Sequence, residues 1–193
     1  MRVLTAALVA TTVAVAGCGS DMHGVSQGDV QAYAALSQQI GTSAAAYGTA
    51  ASATIDASSC LSTHTSYDGQ VHPMVDRMRS MSGAMDQQMG MMGRAGDEDM
   101  SCGGDAMAAE LAHHDAAACT STAMSANHDE STRHAAAMVG WADHQHARAT
   151  EMNGMMGGGG GMMGGGGGMM DPGTATTTVA CHRNSDGTFT LGP

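Results

Sequence analysis

The stretch His72-Pro73-Met74-Val75-Asp76-Arg77-Met78-Arg79-Ser80-Met81-Ser82-Gly83-Ala84-Met85-Asp86-Gln87-Gln88-Met89-Gly90-Met91-Met92 decides the fold. Met74, Met78, Met81, Met85, Met89 and Met92 recur at spacings of three and four, which puts them on one side of an α-helix. Pro73 suits a first helical turn, so this helix is predicted to open near His72. A methionine stripe at helical spacing reads as a core face before it reads as a set of ligands.

The same periodicity extends in both directions. Residues 29–57 place Tyr33, Leu36, Ile40, Ser43, Tyr47, Ala50 and Thr54 in one register. Residues 93–104 are polar and glycine-rich and read as a break, after which Asp105 is an N-cap candidate for a third helix carrying Met107, Leu111, His114 and Ala118. A fourth helix is predicted over about 127–153, with His134, Met138, Trp141, Gln145, Arg148 and Met152 on one face. Four amphipathic helices with short connections predict an all-α, up-down-up-down four-helix bundle over residues 29–153.

Composition narrows the function classes. The 193 residues carry 18 acidic and 7 basic side chains, a net charge of −11, and every basic one is arginine. No basic stripe exists for nucleic acid. Leu36, Leu61, Leu111, Leu191, Ile40 and Ile55 are the only leucines and isoleucines beyond residue 17, so the 20 methionines and the alanines must build much of the core. Methionine is flexible and specifies packing weakly, so the bundle needs reinforcement. Cys60, Cys102, Cys119 and Cys181 are suited to supply it as two disulfides, with thiolate metal ligation as the alternative. Four cysteines allow three pairings. The up-down topology puts Cys60 and Cys119 at one end of the bundle, and Cys102 at the other with the chain that leaves helix four. It therefore favours Cys60–Cys119 and Cys102–Cys181.

The N-terminus carries a second kind of information. Met1-Arg2 is a short positive start, residues 3–15 are apolar, and Val15-Ala16-Gly17-Cys18 follows. This ending resembles the lipobox of bacterial lipoproteins, and the likeness covers the first eighteen residues only. The apolar run is shorter than the roughly 20 residues a membrane span needs. The resemblance implies a signal peptide over 1–17, acylation at Cys18, and a membrane-anchored protein of the cell envelope, on its periplasmic or extracellular face. Residues 18–28 would then form the tether. Gly19 rather than Asp after the cysteine favours the outer membrane in a Gram-negative host. No family likeness of comparable specificity covers the body of the chain.

After the bundle, residues 154–175 hold Met155-Met156, Met162-Met163 and Met169-Met170 separated by runs of five glycines. Glycine runs cannot offset their own entropy with a core, so this segment is predicted to be a flexible linker. Residues 176–193 read as a small hairpin around Asn184-Ser185-Asp186-Gly187, tethered through Cys181.

Two places suggest chemistry. Glu110 with His114, and Glu130 with His134, are i, i+4 pairs. A fold-back near Met124 sets the two histidines at one height, with Tyr47 and Met81 in the same layer. This resembles in outline the carboxylate–histidine metal sites of ferritin-like proteins. Those use Glu-x-x-His and further glutamates from two other helices, which this chain lacks. The plainer reading makes both pairs exposed helix-stabilising contacts. The clusters His113-His114-Asp115, His128-Asp129 and His144-Gln145-His146 read as surface groups. The six linker methionines have no core to fill, and soft thioethers select Cu(I). Methionine- and glycine-rich segments of this kind resemble those of periplasmic copper-handling proteins. No GxSxG, HExxH or phosphate loop occurs, and no enzyme is expected. The expectation is a cell-envelope lipoprotein that binds or buffers a soft metal, copper first. The alternative is a structural or interaction lipoprotein with no ligand.

Overall fold

A computed structural model describes residues 25–91, 98–157 and 180–192. The chain forms α1 (Gln27–Ser52), α2 (Ala57–Met91), α3 (Glu98–Ala117) and α4 (Met124–Gly157), then β1 (Ala180–Arg183) and β2 (Phe189–Gly192). Each helix packs on the next and α4 closes on α1, so the four make an up-down-up-down bundle as expected. The lipobox with Cys18, the tether through residue 24, Met92, the methionines at 162, 163, 169 and 170, and the start of the tail all lie outside the described residues.

Local chemistry explains where the helices begin. Ser26 caps α1 by a reciprocal box, its side chain taking the Asp29 amide while Asp29 takes the Ser26 amide. The start of α2 corrects the expectation from Pro73. Asp56 accepts from the Ser59 amide at 2.7 Å, and the Ser59 hydroxyl accepts from the Asp56 amide, so a second cap starts the helix at Ala57. Pro73 therefore lies inside α2, with its ring on an exposed part of the surface. The predicted first helix consequently ends earlier, at Ser52, and Cys60 belongs to α2 rather than to α1.

The start of α3 is also earlier than expected. Asp105 sits inside the helix, paired with Arg79 of α2 and Arg183 of β1, rather than at its N-cap. Gly103 and Gly104 are not a break but a close-packing surface: a β-carbon on Gly103 would collide with Gln145 of α4, and one on Gly104 would crowd Arg79. α3 ends against Cys119, whose φ of 57° is the left-handed cap conformation usually given to glycine. Asn127 of α4 bonds both the amide and the carbonyl of Ser121 and fixes the turn between α3 and α4. α4 runs four residues past the expected end, so Met155 and Met156 fall inside the helix and not in the linker.

Val30, Tyr33, Ile40, Ala44 and Ala51 of α1, Val71, Val75, Met78 and Met85 of α2, Met100, Met107 and Leu111 of α3, and Met138, Ala142, Ala149 and Met152 of α4 share one core. The methionine stripe of α2 is thus half core: Met74 and Met81 only border it. On α1 the buried line passes through Ala44 and Ala51, one residue beyond the expected Ser43 and Ala50. Small residues let α1 and α4 meet closely, with Gly41 facing Ala142 and Gly48 facing Ala135.

Both disulfides join the expected partners. Cys60–Cys119 ties α2 to the end of α3 across a Cα–Cα distance of 5.8 Å, and Cys102–Cys181 ties α3 to the hairpin across 5.9 Å. β1 and β2 are antiparallel, with Cys181 opposite Leu191 and Gly187 at φ 84° in the turn. Arg183 anchors the hairpin again, reaching Asp105 while its guanidinium stacks 5.0 Å from the Phe189 ring centroid. No helix among the described residues is long and apolar enough to cross a membrane.

A β-carbon at Gly48 would stand 2.8 Å from the Ala135 β-carbon, whereas one at Gly83 meets nothing within 4 Å. Gly48→Val should therefore destabilise the bundle by about 1–3 kcal/mol. Gly83→Ala should stabilise it by about 0.5–1 kcal/mol. Urea unfolding followed by circular dichroism checks both signs.

Candidate functional site: a buried tyrosine–histidine–glutamate layer

Fold-back of α3 and α4 brings His114 and His134 to the same height, as their distances from the turn predict. Both side chains are 0% exposed, and the rings stack with centroids 3.9 Å apart and planes 7° from parallel. Glu110 and Glu130 join them, but not within their own i, i+4 pairs. His114 Nδ1 lies 3.2 Å from Glu130 Oε1, and His134 Nδ1 lies 2.8 Å from Glu110 Oε1, so each imidazole takes the carboxylate of the other helix. The reading as exposed pairs along one helix is therefore corrected, because the antiparallel crossing puts the partner helix's glutamate closer in line with the ring.

The outer nitrogens meet tyrosines. Tyr47 Oη is 2.8 Å from His114 Nε2, and Tyr67 Oη is 3.0 Å from His134 Nε2. Tyr47 also meets Ser131 Oγ at 3.0 Å, and the two phenol rings stack with centroids 4.2 Å apart. A carboxylate only accepts, so each Nδ1 carries the proton and each Nε2 accepts from a phenol. Tyr67, missed in the sequence, takes the place expected of Met81. The separation of fourteen positions is about 21 Å of helix, and only the earlier start of α2 brings Tyr67 into the layer.

Arg133 completes the arrangement. Its guanidinium grips Glu110 at 2.8 and 3.1 Å and Glu130 at 2.8 and 2.9 Å, bridging both carboxylates. Burial raises the Glu110 carboxyl, but the hydrogen bonds from His134 and Arg133 together outweigh it and leave it below its ordinary value. The Arg133 hydrogen bond holds Glu130 down to about 2. Burial, and then the adjacent His134 ring, press His114 down to about 4 despite the pull of Glu130. Burial pushes both tyrosines above their ordinary range. His114 is accordingly neutral at pH 7, and the layer is a closed hydrogen-bond circuit whose cation is the guanidinium. A metal at Glu110, His114, Glu130 and His134 has to displace Arg133 and at least one hydrogen bond from each ring used.

His113 is exposed as expected, but His128, His144 and His146 are less superficial than the sequence suggests. His144 and Gln145 are buried, and Gln145 accepts from Tyr33 Oη at 2.6 Å. His128 reaches Thr54, and His146 reaches Ala34 and Gln38 of α1. Among the described residues, donors that converge closely enough for one metal ion occur instead at Asp68, His72 and Asp115, on the α2–α3 face. The i, i+4 spacing of Asp68 and His72 is visible in the sequence, but it has meaning only once α2 is known to begin at Ala57.

No protein family, curated protein or solved structure matches this chain.

Because His114 titrates below its unfolded value of 6.5, the unfolded chain binds a proton there before the folded chain does. This contribution to stability is full above pH 6.5 and is lost as pH falls towards about 4, by at most about 1.4 kcal/mol per pH unit. Glu130 acts in the same direction further down, between its ordinary value of 4.5 and about 2. Urea midpoints at pH 7, 5.5 and 4.5 should fall in that order, and a His114→Gln variant should show a shallower fall over the first interval.

Proposed function

We propose that this chain is a lipid-anchored cell-envelope protein whose bundle presents a methionine-rich segment for binding a soft metal ion, copper(I) first. The observation that carries the reading is a change in methionine environment along α4. Met138 and Met152 are packed into the core, whereas Met156 is 39% exposed, and Met162, Met163, Met169 and Met170 follow it among glycines. Thioethers with no core to fill are soft donors, and soft donors select Cu(I) over harder ions. The buried histidines do not compete for the ion while Arg133 and the tyrosines hold them.

The test is an anaerobic Cu(I) titration of the full chain against a competing chelator, with the disulfides oxidised. A Cys18→Ser background removes the one cysteine outside the two disulfides. Changing the six methionines from Met155 to Met170 to Leu should weaken binding by about a hundredfold or more while leaving the far-ultraviolet spectrum unchanged. Binding that survives there but falls in a His114→Gln/His134→Gln variant moves the site into the bundle. No binding leaves a structural or interaction lipoprotein, a reading favoured by the completeness of the Arg133 network without any ligand.

The anchor has its own test. Cys18→Ser should move the protein from the membrane fraction to the soluble one and abolish incorporation of labelled fatty acid. A variant that stays with the membrane and keeps its label overturns the assignment.

A further inference from the structure

The interior glutamates have a guanidinium beside them, whereas the aspartates of the α2–α3 face have only imidazoles. Asp68 and His72 lie one turn apart on α2, and Asp115 approaches them from α3. His72 Nε2 is 3.0 Å from Asp115 Oδ2 and 2.7 Å from Asp68 Oδ1. The ring nitrogen is within ion-pair distance of both carboxylates, but only its contact with Asp115 has hydrogen-bond geometry. Asp68 Oδ1 is left buried without a hydrogen-bond partner among the described residues. No arginine pairs with either aspartate among the described residues, and the chain has no lysine. His64, a turn before Asp68 on the same side of α2, holds Nε2 3.8 Å from Asp115 Oδ1.

The 2.7 and 3.0 Å contacts are those of a proton held between the groups, and a small opening of the cluster makes room for an ion. Donors around a tetrahedral ion with bonds near 2.1 Å stand about 3.4 Å apart. The donor atoms of Asp68, His72 and Asp115 all fall within 4.8 Å of one another. The three side chains are 35–40% exposed, which leaves room for water in the remaining positions. An imidazole with two carboxylates favours a borderline first-row ion over magnesium or calcium, and over the soft ion assigned to the methionines.

We propose that Asp68, His72 and Asp115 bind one divalent first-row transition-metal ion on the α2–α3 face, with His64 as the nearest further donor. The ion takes the Nε2 lone pair of His72 and one oxygen from each aspartate, and it gives Asp68 Oδ1, which makes no hydrogen bond among the described residues, a direct bond. This site is independent of the methionine segment, so it stands or falls apart from copper binding.

The experiment is a Zn²⁺ titration of the full chain with oxidised disulfides and the six methionines from Met155 to Met170 changed to Leu, by calorimetry and by chelator competition. The expected result is one tight ion per chain, weakened by about tenfold or more in His72→Gln and further in Asp68→Asn/Asp115→Asn. All three positions are partly exposed, so helicity by circular dichroism should be unchanged. A variant lacking the exposed histidines, His113→Ala/His182→Ala, should bind as the parent does. Absence of the tight ion, its persistence in both α2–α3 variants, or its loss only in the His113/His182 variant overturns the proposal.

Discussion

The guanidinium of Arg133 is the interaction on which the interior depends. It neutralises Glu110 and Glu130, and the held carboxylates fix the protons of His114 and His134 on Nδ1. The imidazoles then present Nε2 to Tyr47 and Tyr67, one from each of the other two helices. A single charge on α4 thereby orients polar groups on all four helices. Without it, two partly buried carboxylates would face two rings stacked too closely to share positive charge. The arrangement has approximate two-fold character, each histidine paired with the glutamate of the opposite helix and the tyrosine of the diagonal one.

Around this layer the core is soft. Methionine fills most of the volume that leucine and isoleucine occupy elsewhere, and its side chain settles into whatever space is left. Definition comes from other sources: the close α1–α4 approach at Gly41 and Gly48, the buried Tyr33–Gln145 bond, the Asn127 turn, and a disulfide at each end of α3. The polar layer belongs with these. In a core that specifies little by shape, hydrogen bonds with one acceptable geometry set which residues face each other.

Much of this was legible in the sequence. Periodicity located four helices, and the up-down topology picked out the two disulfides. Equal spacing from the Met124 turn put His114 and His134 at one level. What stayed hidden depended on short polar signals. Asp56 and Ser59 form a cap, but they read as the fading end of the first helix, and Pro73 looked like a better start. That displacement concealed Tyr67 and the Asp68–His72 pair together. Gly103 and Gly104 looked like a loop, because glycine that permits close contact and glycine that breaks a helix are the same residue until the neighbour is known. The exchange of glutamates between α3 and α4 was likewise invisible, since an i, i+4 spacing satisfies both arrangements. Arg133 gave no periodic signal at all.

The Cys102–Cys181 bond has a topological consequence. It closes the chain between those residues, a sequence separation of 79, into one covalent ring that includes α4 and every methionine from Met155 to Met170. The methionines beyond the end of α4 therefore belong to an arc fastened to the bundle at both ends rather than to a free tail. Gathering several donors around one ion costs less entropy in a closed arc than in an open chain. Reducing one disulfide would open the arc without touching a single thioether. Under the proposed copper reading, the redox state of a bond on α3 would therefore bear on donors far from it along the chain.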